Sequence, residues 1–176
     1  MPDIGNRESG PGGGGAGDSR SPTPGGPVLV IQTAFLGDVV LTTGLLALLA
    51  QRWGPVDVVT TPAALPLIET HPAVRRAIAY DKRGHDRGIR GLLRLAARLR
   101  LGYYARAYLP HRSLRSAMLA RLADIPERIG FAGSPAAWSY TKRVPRPASG
   151  HEAERILGLA EPEQGALAVV SLGITA

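Results

Sequence analysis

The chain has no cysteine. Disulfides, thiolate nucleophiles and cysteine-based zinc sites are therefore excluded, and a reducing cytoplasm suits it. Histidine is sparse, at four in 176 residues, and none stands at metal-ligand spacing from another. Neither a metal nor a cofactor is expected. Lysine is nearly missing: Lys82 and Lys142 are the only two, so arginine carries the net charge of +7. Long apolar runs are also lacking. The most apolar stretch, residues 39–50, is broken by Thr42, Thr43 and Gly44. It is far shorter than the roughly 20 residues a membrane-spanning helix needs. The first residues have no apolar core of the kind a secretory signal requires.

What remains is ordinary for a globular protein, with 44% apolar and 20% charged residues and room for one domain. Charge is unevenly placed. Residues 81–128 hold 12 arginines and lysines against 4 acids, an excess of +8, while the rest is nearly neutral. A surface of one sign attracts phosphates: nucleic acid, anionic lipid or a phosphorylated sugar.

Residues 1–27 contain nine glycines and five prolines. Such a segment buries too little apolar surface to offset its ordering entropy and reads as a disordered tail. Order is expected from Val28. Val28-Leu29-Val30-Ile31 is a continuous apolar run suited to a strand buried on both faces. Helix is expected at 38–53, strand at 56–60, helix at 62–70 and strand at 76–80. A helix at 89–101, a strand at 104–109, a helix at 113–123 capped by Ser113, a strand at 128–131 and a helix at 151–159 follow. Strands alternating with helices imply an α/β fold, a Rossmann-like parallel sheet flanked by helices over 28–160. Ligands of such sheets bind at the carboxyl ends of the strands. The loops at 33–38, 81–88, 110–113 and 131–134 are thereby singled out.

The first loop is Gln32-Thr33-Ala34-Phe35-Leu36-Gly37-Asp38. Gly37 allows backbone amides to approach a ligand, and a helix start favours negative charge. On spacing alone Asp38 reads as a helix cap. The second is Asp81-Lys82-Arg83-Gly84-His85-Asp86-Arg87-Gly88, either a solvated loop with local ion pairs or an anion-binding one. In Pro110-His111-Arg112-Ser113-Leu114-Arg115-Ser116, Arg112 and Arg115 share a face at a helix start, an arrangement suited to a carboxylate or phosphate. His111 could act as a general base, although a lone histidine is more often structural. Along the helix at 89–101, Arg90, Arg94 and Arg98 form a stripe, with Ile89, Leu92, Leu93, Ala96 and Leu99 opposite. The stripe reads as a solvated face or as a contact with an anionic membrane surface.

Taken together, these loops resemble the glycosyltransferase family 9 heptosyltransferases, most closely the heptosyltransferase II type. The stretch from Leu29 to Thr43 carries the most specific match. Tyr80-Asp81-Lys82-Arg83-Gly84, the run from Leu109 to Ser116, and Arg128-Ile129-Gly130-Phe131 support it by order and spacing. The resemblance spans about residues 28–159 and implies the N-terminal, acceptor-side domain of a GT-B glycosyltransferase. Residues 166–172 read as the strand opening a donor domain, with 161–176 as the start of a truncated C-terminal half. Without that half the chain is expected not to turn over. The implied reaction is inverting transfer of heptose from ADP-heptose to the lipopolysaccharide inner core. Asp38 matches the family's general base. Leu36 and Gly37 would bind the donor phosphates, and Thr33, Arg83, His111, Arg112 and Arg115 the acceptor. The implied place is the cytoplasm, with peripheral contact at the anionic inner membrane. The competing reading is a non-catalytic basic domain binding nucleic acid or another anionic partner. Tyrosines 80, 103, 104 and 108 lie near the basic run, but no nucleic-acid motif is present, so nucleic acid is not expected.

Overall fold

The structure, a computed structural model, describes residues 25–160. Residues 1–24 of the tail expected over 1–27, and the expected donor-domain strand at 166–172, lie outside them.

Six strands form one parallel sheet in the order β3-β2-β1-β4-β5-β6. β1 (Val28–Gln32) and β2 (Val56–Thr60) are buried at every position, as expected of strands covered on both faces. β3 (Val74–Ala79) forms one edge; Arg75, Arg76 and Ala79 are exposed and only Ile78 is buried. β4 (Arg106–Leu109) and β5 (Glu127–Phe131) lie on the other side of β1. β6 (Lys142–Val144), which pairs with β5, was not anticipated: three residues carry too little pattern to read.

Between the strands run the helices α1 (Leu36–Trp53), α2 (Leu65–Glu69), α3 (Gly88–Arg100) and α4 (Leu114–Leu122), and α5 (Glu152–Leu157) follows β6. α2 follows a 3₁₀ turn at Pro62–Ala64, with Pro62 at its first position, where a missing amide hydrogen costs nothing. Two cores flank the sheet. On one face α3 and α4 pack over Leu29, Ile31, Val59 and Leu109. On the other, Val39, Leu45, Leu46 and Leu49 of α1 join Ile156 and Leu159 over Val28, Val30, Val58 and Ile129. Each such side chain, removed from water, contributes roughly 1.5–3 kcal/mol.

The structure corrects the expected faces of α3. Gly91, Leu92, Leu95, Ala96 and Leu99 are buried, whereas Ile89 and Leu93 are exposed. The segment is apolar on too many sides for periodicity alone to select the packed one. At the other end of the described residues, the Pro27 carbonyl accepts a hydrogen bond from the Ala105 amide at 2.9 Å, so the last residue of the expected tail is tied to the domain.

Candidate functional site

The strand order reverses direction at β1 and β4. Chain connections run from β1 toward β3 on one side and from β4 toward β6 on the other. At such a switch point the loops leaving the two strands diverge and open a crevice. The loop after β1 and the loop after β4 border it, and a contact between Thr33 Oγ1 and Ser116 Oγ at 3.2 Å joins their bases.

Asp38 lies in the first turn of α1 and is half-buried. It does not cap the helix, which corrects the reading from spacing. α1 begins two residues earlier than expected, Phe35 takes the N-cap position, and no side chain caps it. The first amides of a helix have no acceptor within it. Here the amides of Leu36, Gly37 and Asp38 have none among the described residues, and a Cβ added at Gly37 would meet nothing within 4 Å. The Asp38 carboxylate also has no hydrogen bond or ion pair to another described residue. Its backbone is braced from inside: the Asp38 carbonyl accepts from Thr42 Oγ1 at 2.7 Å and from Gln32 Nε2 at 3.4 Å. Gln32 Nε2 also reaches Thr42 Oγ1 at 2.9 Å, leaving the buried Oε1 without a partner.

Lys82, which the sequence placed in a possible anion-binding loop without assigning it a role, comes to the same place. Its Nζ donates to the Thr33 carbonyl at 2.6 Å. Partial burial holds its pKa below the ordinary lysine value, and the nearby charges of Arg83 and Arg115 add to that. His111 is half-buried and follows β4. Burial lowers its imidazole from the ordinary range, Lys82 lowers it further, and Asp38 opposes both. Asp38, Lys82 and His111 therefore share one electrostatic environment.

The loop after β3 is built by Asp81. Its carboxylate accepts from the amides of Gly84 at 2.9 Å, Arg83 at 3.3 Å and His85 at 3.3 Å. Those amides are thus spent inside the loop, and an anion there would meet side chains rather than a backbone nest. The Asp81 carboxyl is correspondingly held below its usual range, with the Gly84 amide the main cause. Arg83 is exposed at the loop surface.

Arg112 and Arg115 differ. Arg112 is exposed and donates to the Gly133 carbonyl, linking the loops after β4 and β5. Arg115 is half-buried and donates to the Tyr80 hydroxyl, to the Asp86 carbonyl at 3.0 Å and to the Gly88 carbonyl at 2.8 Å. α4 starts between them, with Ser113 accepting from the Ser116 amide as expected. Among the described residues no group of histidine, cysteine or carboxylate side chains could hold a metal ion. The arrangement offers a free carboxylate beside unpaired helix amides, with cationic side chains around them. It can accept a proton at one point and hold anions at several.

Residues 92–170 match the sequence pattern of glycosyltransferase family 9 (heptosyltransferase). Lipopolysaccharide heptosyltransferase 2 of Salmonella typhimurium is 32% identical over 114 residues, covering 60% of this chain and 31% of that protein. The solved Escherichia coli ADP-heptose lipopolysaccharide heptosyltransferase II is similar at 27% identity with a TM-score of 0.62, over 76% of this chain and 40% of that one. An E. coli heptosyltransferase solved with ADP-2-deoxy-2-fluoro heptose shares the fold, at 21% identity and a TM-score of 0.66, over 77% of this chain and 47% of that one. The chain thus spans about a third of the length of the curated relative and under half of each solved one.

Proposed function

We infer, from the match of residues 92–170 to glycosyltransferase family 9 and the likeness to heptosyltransferase II, that the chain is the acceptor-side half of an inverting heptosyltransferase of that family. Its substrates would be ADP-heptose and a lipopolysaccharide inner-core sugar, met on the cytoplasmic side of the membrane. The observation that carries this reading is the unpartnered Asp38 carboxylate at the switch point, beside helix amides that also have no acceptor.

The chemistry follows from that placement. An acceptor hydroxyl set against Asp38 loses its proton to the carboxylate as its oxygen attacks the anomeric carbon of the heptose. The new carbon–oxygen bond forms on the face opposite the ADP. The bond to the phosphate oxygen breaks with its electron pair leaving on ADP, and the anomeric configuration inverts. The amides of Leu36 and Gly37 and the positive end of α1 suit the departing phosphates. Lys82 stands next to this helix start, and its charge favours the same oxygens. Arg83, His111 and Arg112, on the loops after β3 and β4, would meet an anionic acceptor, whereas Thr33 is buried with its hydroxyl on Ser116 and its carbonyl on Lys82, and would support the site from below. Arg115 acts on the acceptor side through the loop it holds.

Asp38→Asn tests the reading. It keeps the shape of the side chain and removes the basic oxygen, and no cap is lost because Phe35 holds that position. In a form of the protein that transfers heptose, the rate should fall by at least about 10²-fold, the lower range for losing a positioned base. The melting temperature should stay within a degree or two of the parent. Near-normal transfer by the Asn variant would remove Asp38 from the chemistry.

A further inference from the structure

The second feature that stands out lies away from the crevice, on the outside of α3. Taking about 100° per residue, the buried positions Gly91, Leu92, Leu95, Ala96 and Leu99 occupy one arc of the helix. The solvent arc is not uniformly polar. Ile89 is 63% exposed and Leu93 48%, and with Ala97 they form one row at four-residue spacing. Arg90 and Arg94 form the adjacent row, flanked by Arg87 and Arg98. Past the end of the helix, Leu101 is 75% exposed and Tyr103 84% exposed. Tyr103 is held there by a turn with φ of 47° that a tyrosine seldom adopts.

The charges on this face are poorly matched within the protein. Among the described residues, Arg94 has only a 3.9 Å contact with Asp86, and Arg100 a 3.3 Å one with Asp124. Arg87, Arg90 and Arg98 meet no acid there. Adjacent rows of large apolar and cationic side chains are what an anionic bilayer surface requires. The apolar row enters the acyl boundary, the arginines extend to the phosphates, and an aromatic ring sits at headgroup depth. A nucleic-acid backbone would neutralise the arginines equally well but would offer nothing to bury Ile89, Leu93 and Leu101.

We propose that the outer face of α3, continued through Leu101 and Tyr103, docks the protein on an anionic lipid bilayer. α3 has 13 residues and is therefore about 20 Å long, enough to lie along the membrane plane. No helix among the described residues is long and apolar enough to cross it, so this contact is peripheral. Because α3 begins where the Asp81-to-Arg87 loop ends, docking would hold that loop, and the crevice it borders, close to a lipid-anchored acceptor. The surface is independent of the transfer reaction, and its test needs no activity.

The experiment is co-sedimentation of the 176-residue chain with vesicles of phosphatidylethanolamine and phosphatidylglycerol, against vesicles of phosphatidylcholine alone, across a salt series. Binding is expected to the anionic vesicles only and should weaken as salt rises. Each basic residue at an anionic surface is worth about fivefold in partition. The Arg90→Glu/Arg98→Glu pair should therefore lower binding by at least about twentyfold. The Leu93→Ser/Leu101→Ser pair should lower it about tenfold while keeping the salt dependence. All four positions are exposed, so the melting temperatures should match the parent. No binding to anionic vesicles, equal binding to phosphatidylcholine, or unchanged binding by both pairs would overturn the proposal. Tighter binding to duplex DNA that survives the Leu93→Ser/Leu101→Ser change would overturn it in favour of nucleic acid.

Discussion

Arg112 and Arg115 sit three residues apart and are equivalent in sequence, yet their surroundings separate them. Arg115 uses its donors on Tyr80, Asp86 and Gly88, and its guanidinium also lies 5.3 Å from the Tyr80 ring centre. It ties the loop after β3 to the start of α4. Hydrogen bonds from a charged donor are worth roughly 1.5–3 kcal/mol, and this one is partly solvated. Arg115→Ala should therefore cost about 2 kcal/mol in urea unfolding, and Arg112→Ala less than about 0.5 kcal/mol. Equal effects would remove Arg115 from its role as a clamp. Legibility at this scale was partial. The strand, loop and helix around Asp38 were readable, but spacing made it a cap, a place that Phe35 holds instead, and its role as a base rests on the family resemblance. The place of Lys82 was not readable, because its partner, the Thr33 carbonyl, is 49 residues away and only the fold brings them together.

At the scale of elements, β1, β2, α1 and α4 were legible because each has a strong local cause: a continuous β-branched run, a long apolar period, a serine cap. α3 was legible as a helix but not in its orientation. Leucines at 92, 93, 95, 99 and 101 surround it, and only packing against the sheet selects Leu92, Leu95 and Leu99. Gly44 shows a related limit. Inside α1 it costs about 1 kcal/mol relative to alanine in helix propensity. A Cβ added there would meet one atom within 4 Å, Leu157 Cδ2 at 3.2 Å. That atom is the tip of a half-buried side chain on α5 and can move by a few tenths of an ångström. Gly44→Ala should then stabilise the chain by about 0.5–1 kcal/mol in denaturant unfolding. A loss of stability would mean that the contact between α1 and α5 is too tight to adjust.

Across the whole molecule, the two ends of the sheet divide the work. The carboxyl ends of the strands carry Asp38, Lys82 and the anion-facing loops. The amino ends carry a polar cluster that the sequence did not reveal. Asp57, fully buried near the start of β2, accepts from Arg75 Nε at 2.8 Å and Arg76 Nη2 at 2.8 Å on β3. The Tyr104 hydroxyl donates to the same carboxylate at 2.5 Å from the segment entering β4. One carboxylate thus joins the edge strand β3, its neighbour β2 and the approach to β4. Burial by itself would raise its pKa. Hydrogen bonds from Arg75 and Tyr104, with the charges of Arg75 and Arg76, more than offset that and hold it below the ordinary value of 3.8. The native state therefore binds this proton less readily than the unfolded chain does. The stabilisation is complete above the unfolded value and is lost as pH falls through the native one. Asp57→Asn removes the charge and leaves two arginines, both partly solvated, without a counter-ion. Removing one partner of a buried pair costs about 3–5 kcal/mol, and solvation of the arginines favours the lower end, about 3 kcal/mol. The gap in unfolding free energy between parent and variant should be widest above about pH 5 and should narrow steadily below about pH 4, as the parent's own carboxylate protonates. In a form of the protein that transfers heptose, the transfer proposed for the opposite end of the sheet should be unaffected wherever the variant is folded. A gap that stays constant down to the acid limit would show that Asp57 stabilises the sheet through shape and hydrogen bonding alone, with no contribution from its charge.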